Sequence, residues 1–589
     1  MSSHRRRLER GRRPAGILVG FAALVLVAAC ERAFSDRTDT IVVDASQRRG
    51  RARPIWDEVN LWKLDLWFGV HRRDPADEWG DGWLRKRAPW FRYARLVAAL
   101  GGNYAPEIAD ACDHDKTSAE HPEVNWECGK DGHPGAAAQN EIARFIDGRW
   151  TFDYAPFRAA VGRVLRSGVL PHLNLSSSPT AFTGGTSDFL HYHWNAAPVT
   201  DLDGWIGFVR GAFLSVRDLG PHRWRVSIVN EPNCLTLDAA GAVQNVGFAG
   251  GPERYARLWT TTARAIREVT PDVVIHPGNY VTSATFPGED NLHVYLTALA
   301  AELGRAPGLR WDGFPYVSLS LYEVPDTELF DFGATRLARL REAQRRSGLA
   351  PLPVKVDELG IHADVRRPFE ERTGQPLRPT AFAASWHAEA LRFFLEAGDV
   401  ASAAPWLDHL LDPSTWRPLP TGQVYGLLGI LVGQLRLVPE GGKDMQFEET
   451  GDDDGLDELL VRQPAARSTE PRSSLAALAT TADDTIRVLV VHHQNQPALD
   501  GDPVRQRLAR EIDLRLEGLA DGAWVTRHLS VGGAGGSSWD GARATPLQWQ
   551  YDGCATTAAG EIEAVHDLEV PANSVWLFDV TRHDHCPAS

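Results

Sequence analysis

The chain lacks any uncharged apolar run of the roughly 20 residues that a membrane-spanning helix needs. Neither an internal repeat nor a low-complexity tract breaks its 589 residues. A polytopic membrane protein, a solenoid and a disordered scaffold are therefore excluded as first readings. Positive charge is also scarce: Lys and Arg number 62 against 77 Asp and Glu, for a net charge of −15. Arg5, Arg6, Arg7, Arg10, Arg12 and Arg13 all fall in the first 29 residues, so the remainder is more acidic still. Such a body disfavours nucleic acid or an anionic membrane surface as partner and leaves a neutral sugar open. Metal-ligand spacing is missing too. His191-Tyr192-His193 has no acidic ligand set with it, and Asp452-Asp453-Asp454-Gly455 lacks the spaced pattern of a calcium loop. His492, His493, His583 and His585 read as surface histidines. No cofactor is expected.

What is present is globular. Apolar content of 43% and charged content of 24% are those of a soluble body. The length calls for two domains, one of them a large barrel. The arginines form a basic leader to the apolar stretch 15–29, which is too short to span and reads as a signal peptide. It ends in Val27-Ala28-Ala29-Cys30, which resembles a bacterial lipobox with Cys30 as the lipidated residue. The expectation is an exported lipoprotein of the cell envelope, periplasmic or at the outer membrane or cell surface. It would touch the membrane through a lipid anchor only. An ordinary secretory signal is the plainer alternative. Export permits disulfides: Cys112 with Cys128 and Cys554 with Cys586 are candidate local pairs, which leaves Cys234 free.

Along the chain, 30–55 is a tether with a short strand at 40–45 that could join a distant sheet. From 56 to 436 strand-like and helix-like stretches alternate. Candidate strands are 67–71, 91–97, 170–175, 226–230, 273–275, 316–321, 354–356 and 401–405. Helical periodicity covers 157–167, 203–219, 252–270, 335–346, 381–396 and 421–434. Eight strands followed by helices are the count of a (β/α)8 TIM barrel, with a long insertion at 110–139. From 437 to 589 alternating strands and Gly-rich turns point to a C-terminal β-sandwich packed on the barrel.

The fourth strand, Val226-Ser227-Ile228-Val229, stops abruptly at Asn230-Glu231-Pro232-Asn233, since proline forbids its continuation. The seventh, Val354-Lys355-Val356, runs into Asp357-Glu358. Parallel α/β folds do their chemistry at such C-terminal strand ends. Paired carboxyl groups are the machinery of glycoside hydrolysis. Asp357 competes with Glu358, and strand alternation lets only one of two neighbours face the barrel mouth.

These motifs, in this strand order, resemble clan A of the glycoside hydrolases. Across residues 60–435 the similarity is greatest to family 39, which includes β-xylosidases and α-L-iduronidases. The resemblance implies a retaining enzyme with Glu231 as acid/base and Glu358 as nucleophile. Asn230 would hydrogen-bond the sugar 2-hydroxyl, Arg95 would keep the nucleophile ionised, Tyr322 would hydrogen-bond it, and Trp406 would stack on the sugar. His172 and Asn174 on the third strand join the expected binding residues. Val229 stands where the family carries Trp, Ser320 where it carries His, and Asn174 where it carries an acidic residue. These departures bear on the glycan, not on the reaction. The substrate is an oligo- or polysaccharide, with β-xylosidase-like action on it or a related glycan. Two alternatives are an endo-acting hydrolase of bacterial exopolysaccharide and a glycan-binding lipoprotein without turnover. Oligomeric state is not legible.

Overall fold

The computed structural model describes residues 38–61, 75–97, 99–100, 142–146, 149–176, 179–183, 197–220, 223–237, 243–245, 247–282, 291–323, 332–361, 363–412, 415–439, 445–450, 456–462, 473–494, 509–532, 547–557 and 560–587. The leader with Cys30, residues 67–71, the 110–139 insertion with Cys112 and Cys128, the 191–193 histidines and the 452–454 aspartates lie outside them. Among the described residues no helix is long and apolar enough to cross a membrane.

Five strands form one parallel sheet in chain order: Glu58–Leu61, Tyr93–Leu96, Leu170–Asn174, Arg225–Ser227 and Val274–His276. A second parallel sheet contains Tyr280–Val281, Val317–Glu323, Val354–Ile361 and Val400–Pro405. The two meet at both margins. At one, a single segment serves both, because only residues 277–279 separate Val274–His276 from Tyr280–Val281. Gly278, at φ +129°, makes this crossing possible: a Cβ there would sit 2.4 Å from the Ser318 carbonyl oxygen. At the other margin Asn60 bridges Trp406 in parallel, and the Ala403 N–H donates to the Ile55 carbonyl at 2.6 Å.

Amphipathic helices separate the strands, each burying the face its periodicity marks. Gly251–Val269 buries Tyr255, Leu258, Trp259 and Ile266. Leu202–Ser215 starts at Asp201, whose carboxylate accepts from the Gly204 N–H at 2.9 Å. The slot beside Tyr93–Leu96 is filled by Glu58–Leu61, while 67–71, read from sequence as the first strand, lies outside the described residues. Its alternation is reversed: Glu58 and Asn60 turn toward the other strands, while apolar Val59 and Leu61 are buried on the opposite side. A search for inward apolar residues passes over such a strand.

The C-terminal unit is one nine-stranded sheet. Its order runs Gln550–Thr557, Gly522–Val531, Ser574–His583, Thr485–Gln494, Ser473–Ala482, Leu456–Arg462, Asp39–Ala52, Arg510–Glu517, Glu561–Val570. The short strand expected at 40–45 is the start of Asp39–Ala52, which inserts between two strands from the far end of the chain. The two edge strands touch, so the sheet curls around Val488, Val490, Trp576 and Phe578. The intervening Leu489, Val491, Val575 and Leu577 face the opposite way and join the core beneath Ala381–Ala397 and Pro420–Leu431.

That packing corrects the reading of two histidines. His492 and His493 are fully buried, because one face of their strand meets the curled sheet's core and the other meets a helix. His493 Nδ1 lies 2.6 Å from Ser385 Oγ, and His492 Nδ1 lies 3.0 Å from the Val570 carbonyl. His583 and His585 are exposed. Cys554 and Cys586 form a disulfide, and Cys234 is free.

Candidate active site

The fourth strand pairs only as far as Ser227. Beyond it Val229 (φ 64°) and Glu231 (φ 46°) are left-handed, a costly conformation for a β-branched residue. This twist breaks the two-residue alternation and lets Asn230 and Glu231 both reach the strand ends. The loop is pinned by Asn233, whose Nδ2 donates to the Val281 carbonyl at 2.8 Å and whose Oδ1 accepts from the Val281 N–H at 2.9 Å. Gly247 admits it: a Cβ there would lie 1.7 Å from the Glu231 carbonyl oxygen.

Alternation fails on the seventh strand as well. Val356 pairs with Leu319 but Glu358 pairs with Ser320, so Asp357 is the extra residue of a β-bulge. The bulge turns both acids to the same side, contrary to the expectation that only one could face inward. Asp357 sits at the lower level, bound by Lys355 and by Ser318 Oγ at 2.7 Å. Glu358 sits at the strand ends.

Three donors hold the Glu358 carboxylate: Arg95 Nη1 at 2.8 Å and Asn279 Nδ2 at 2.9 Å on Oε1, and Tyr322 Oη at 2.5 Å on Oε2. Arg95 is oriented by Asn60 Oδ1 at 3.0 Å and Asn230 Oδ1 at 2.6 Å. The indole N–H of Trp406 donates to Tyr322 Oη at 2.9 Å. Burial and the neighbouring carboxylates keep the Tyr322 phenol far above its ordinary pKa, so it remains a donor. Glu231 has the opposite surroundings. Burial and the charge of Glu358 push its carboxyl up to about 8, against smaller downward pulls from Ser320, Arg95 and Cys234. One acid therefore keeps its proton at neutral pH beside another whose oxygens accept from three donors. Asn230 Nδ2 is buried with no partner among the described residues, a donor left open in this group.

Below lies a charged layer. Lys355 Nζ is 2.8 Å from Glu58 and contacts Asp357. Arg225 reaches Glu58 at 2.6 Å and Asp57 at 2.8 Å. His172 belongs here and not among residues open to a sugar. It is fully buried, its Nδ1 2.6 Å from Glu58 and its Nε2 3.0 Å from Ser227 Oγ, and burial pushes its pKa down to about 3. Asn174 is also fully buried; it donates to Ser227 Oγ at 3.0 Å and accepts from Ser176. Both sit level with residues 225–227, three or more positions short of Asn230. The structure thus gathers Glu231, Glu358, Asn230, Arg95, Tyr322 and Trp406, and places His172 and Asn174 beneath.

Among the described residues two clusters have the composition of metal ligands. His172, His276 and Asp357 form the first, but Lys355 already supplies its cation and comes within 3.5 Å of His172 Nδ1. In the second, Asp513, His566 and Asp567, the two ring nitrogens of His566 each face a carboxylate, at 3.0 and 3.2 Å. Neither offers an open cation position.

Sequence reasoning missed Asn60 and Asn279. The signal for Asn60 is the Glu58–Asn60 alternation on an otherwise apolar strand. Asn279 follows the Pro277-Gly278 break within the fifth strand.

No family model matches the chain, and no curated protein matches it. Solved structures do. A monomeric beta-xylosidase from Caulobacter crescentus CB15 matches with a TM-score of 0.54 at 15% identity, over 92% of this chain and 100% of that one. A GH39 enzyme from Xanthomonas axonopodis pv. citri matches with a TM-score of 0.54 at 13% identity, over 94% and 99%. A bacterial orthologue of human α-L-iduronidase matches with a TM-score of 0.54 at 12% identity, over 93% and 84%. At these identities the shared property is the fold.

Proposed function

We propose that this chain is a retaining glycoside hydrolase of the family-39 kind, in which the two parallel sheets make one (β/α)8 barrel and the curled sheet is its β-sandwich partner. The observation that carries the reading is the asymmetry of two carboxyls at one set of strand ends. Glu358 accepts hydrogen bonds from Arg95, Asn279 and Tyr322, while Glu231 is pushed up to about 8. An enzyme that breaks a glycosidic bond by double displacement needs this division. The Glu358 carboxylate attacks the anomeric carbon as Glu231 delivers its proton to the departing oxygen, which leaves a covalent glycosyl-enzyme. Glu231, now ionised, takes a proton from water, and water displaces Glu358. The open Asn230 donor meets the sugar 2-hydroxyl, and Trp406 stacks on the ring.

The substrate we favour is a β-xyloside or a related glycan, in keeping with the xylosidase among the structural matches. Export with a lipid anchor at Cys30 completes the proposal, and the Cys554–Cys586 disulfide suits an oxidising compartment. The test is incubation with activated 2-deoxy-2-fluoroglycosides followed by mass spectrometry. A peptide containing Glu358 should gain the sugar mass, and Glu358→Gln should gain none. Saturable glycan binding with no labelling across a xylosyl, glucosyl, arabinosyl and iduronyl panel would sink the enzymatic reading.

A further inference from the structure

The tip that carries Glu231 is tied down at both ends by one short segment. Before Glu231, Asn230 Oδ1 accepts from Asn279 Nδ2 at 2.8 Å. After it, Asn233 meets the Val281 backbone at two points, donating to its carbonyl at 2.8 Å and accepting from its N–H at 2.9 Å. Asn279 Nδ2 also donates to Glu358 Oε1 at 2.9 Å. Residues 279–281 thus hold Glu358 directly and Glu231 through Asn230 and Asn233.

The segment is itself fixed. Tyr280 and Val281 pair with Leu319 and Ser320 of Val317–Glu323. The Tyr280 ring is fully buried, with its hydroxyl 3.1 Å from that of Tyr255, and Asn279 is fully buried as well. A further tie comes from Asn291, the first residue of the helix Asn291–Leu303. Its Nδ2 donates to the Asn233 carbonyl at 2.9 Å, and its Oδ1 accepts from Asn233 Nδ2 at 3.2 Å. The tip needs such ties, because left-handed Val229 and Glu231 have a backbone that persists only where the surroundings over-determine it.

We propose that residues 279–281 are a jig that sets the spacing and aim of the two carboxyls, with Asn233, Asn279 and Asn291 as positioning residues. Its effect on turnover rests on the glycosidase reading; the hold on Glu231 does not. The two ends of the jig have different duties. Asn279 serves both carboxyls, since one amide nitrogen holds Glu358 and Asn230. Asn233 and Asn291 serve Glu231 alone, and neither is bonded to Glu358. Releasing Asn233 therefore loosens the acid and leaves the three donors of Glu358 in place. An activated leaving group departs without a proton, whereas a poor one needs Glu231 within reach of the departing oxygen. An error of about 1 Å there costs about 100-fold.

The test sets Asn233→Ala against the parent on aryl glycosides of whichever panel sugar labels Glu358. With 4-methoxyphenol as leaving group, kcat/KM should fall about 100-fold. The rate of labelling by the 2,4-dinitrophenyl 2-deoxy-2-fluoroglycoside should change by less than about 3-fold. Asn279→Ala should slow both, whereas a general loss of structure would slow both in Asn233→Ala too. A reading free of turnover is 13C NMR of protein labelled at glutamate Cδ, with Glu231→Gln assigning the resonance. Asn233→Ala should lower the Glu231 midpoint by about one pH unit or more, because a released tip admits water to the carboxyl. The titratable groups facing Glu231 are Glu358, Arg95, Tyr322 and Cys234, and the substitution replaces none of them. Should Asn233→Ala not fold, Asn291→Ala removes the outer tie alone and carries the same two measurements. An unmoved midpoint, or equal slowing of labelling and of 4-methoxyphenyl hydrolysis, would overturn the jig. A lowered midpoint in a protein whose parent no fluoroglycoside labels upholds the jig and sinks the glycosidase reading alone.

Discussion

Replacing Glu231 with glutamine should make the protein more stable, and only at high pH. The carboxyl stands at about 8 in the fold against an ordinary value of 4.5, because burial and Glu358 both oppose its charge. The unfolded chain gives up that proton near 4.5, so at higher pH the fold must either hold the proton or bury a charge. The protonated group's contribution is complete below 4.5 and is lost as pH rises through 8. A shift of about three and a half units at ~1.4 kcal/mol each would be about 5 kcal/mol. Partial exposure of Glu231 to solvent brings the measurable part to between about 2 and about 5 kcal/mol. Glutamine has nothing to lose over that range. Denaturant unfolding of both proteins, followed by tryptophan fluorescence at intervals from pH 5 to 9, gives the difference directly. It should be within about 0.5 kcal/mol at pH 5 and favour the variant by 2 kcal/mol or more at pH 9. A difference that stays flat across this range would refute the claim that Glu231 is held neutral by its surroundings.

Tyr322→Phe removes one of three donors to Glu358 and strands the Trp406 indole N–H. The rate of fluoroglycoside labelling should fall by about 10- to 100-fold with the fold intact, the worth of a hydrogen bond to a charged group; a loss under about 3-fold would count against the nucleophile's assigned surroundings. Lys355→Met leaves Glu58 and Asp357 buried without their shared cation. It should cost about 3–5 kcal/mol. Thermal melting should show the deficit shrinking at acid pH, where those carboxyls can protonate, and a variant as stable as the parent at pH 8 would show that the charged layer is dispensable.

Much of the architecture is legible because most parallel strands are β-branched apolar runs and most helices keep their period. The same habit of reading explains the failures. Glu58–Leu61 is fully buried, yet its inward residues are Glu and Asn, so it carries no apolar alternation to detect. The choice between Asp357 and Glu358 assumed a regular strand, and a bulge is a register event between two strands that one strand's sequence does not encode. At the site, motif spacing marks Glu231, Glu358 and Asn230 because they sit beside a proline or at a strand tip. His172 and Asn174 were misplaced because inward direction alone does not give height along the strand, and their pairing level is set by Arg225 and Ser227.

The charged layer and the strand-end acids form one electrostatic system, with Arg95 as the link. Arg95, Arg225 and Lys355 are its cations; Asp57, Glu58, Asp357 and Glu358 are its carboxylates. His172 and His276 add no charge, since burial lowers both. The named anions already exceed the named cations, so an ionised Glu231 would add a second uncompensated negative charge in a region with little water to screen it. That imbalance is a physical reason for Glu231 to keep its proton. It also bears on the proposed double displacement: esterifying Glu358 would remove one carboxylate, after which Glu231 could ionise without exceeding the charge the interior held before. On that proposal the acid becomes a base because its neighbour has become an ester, and the fixed charges beneath need not move.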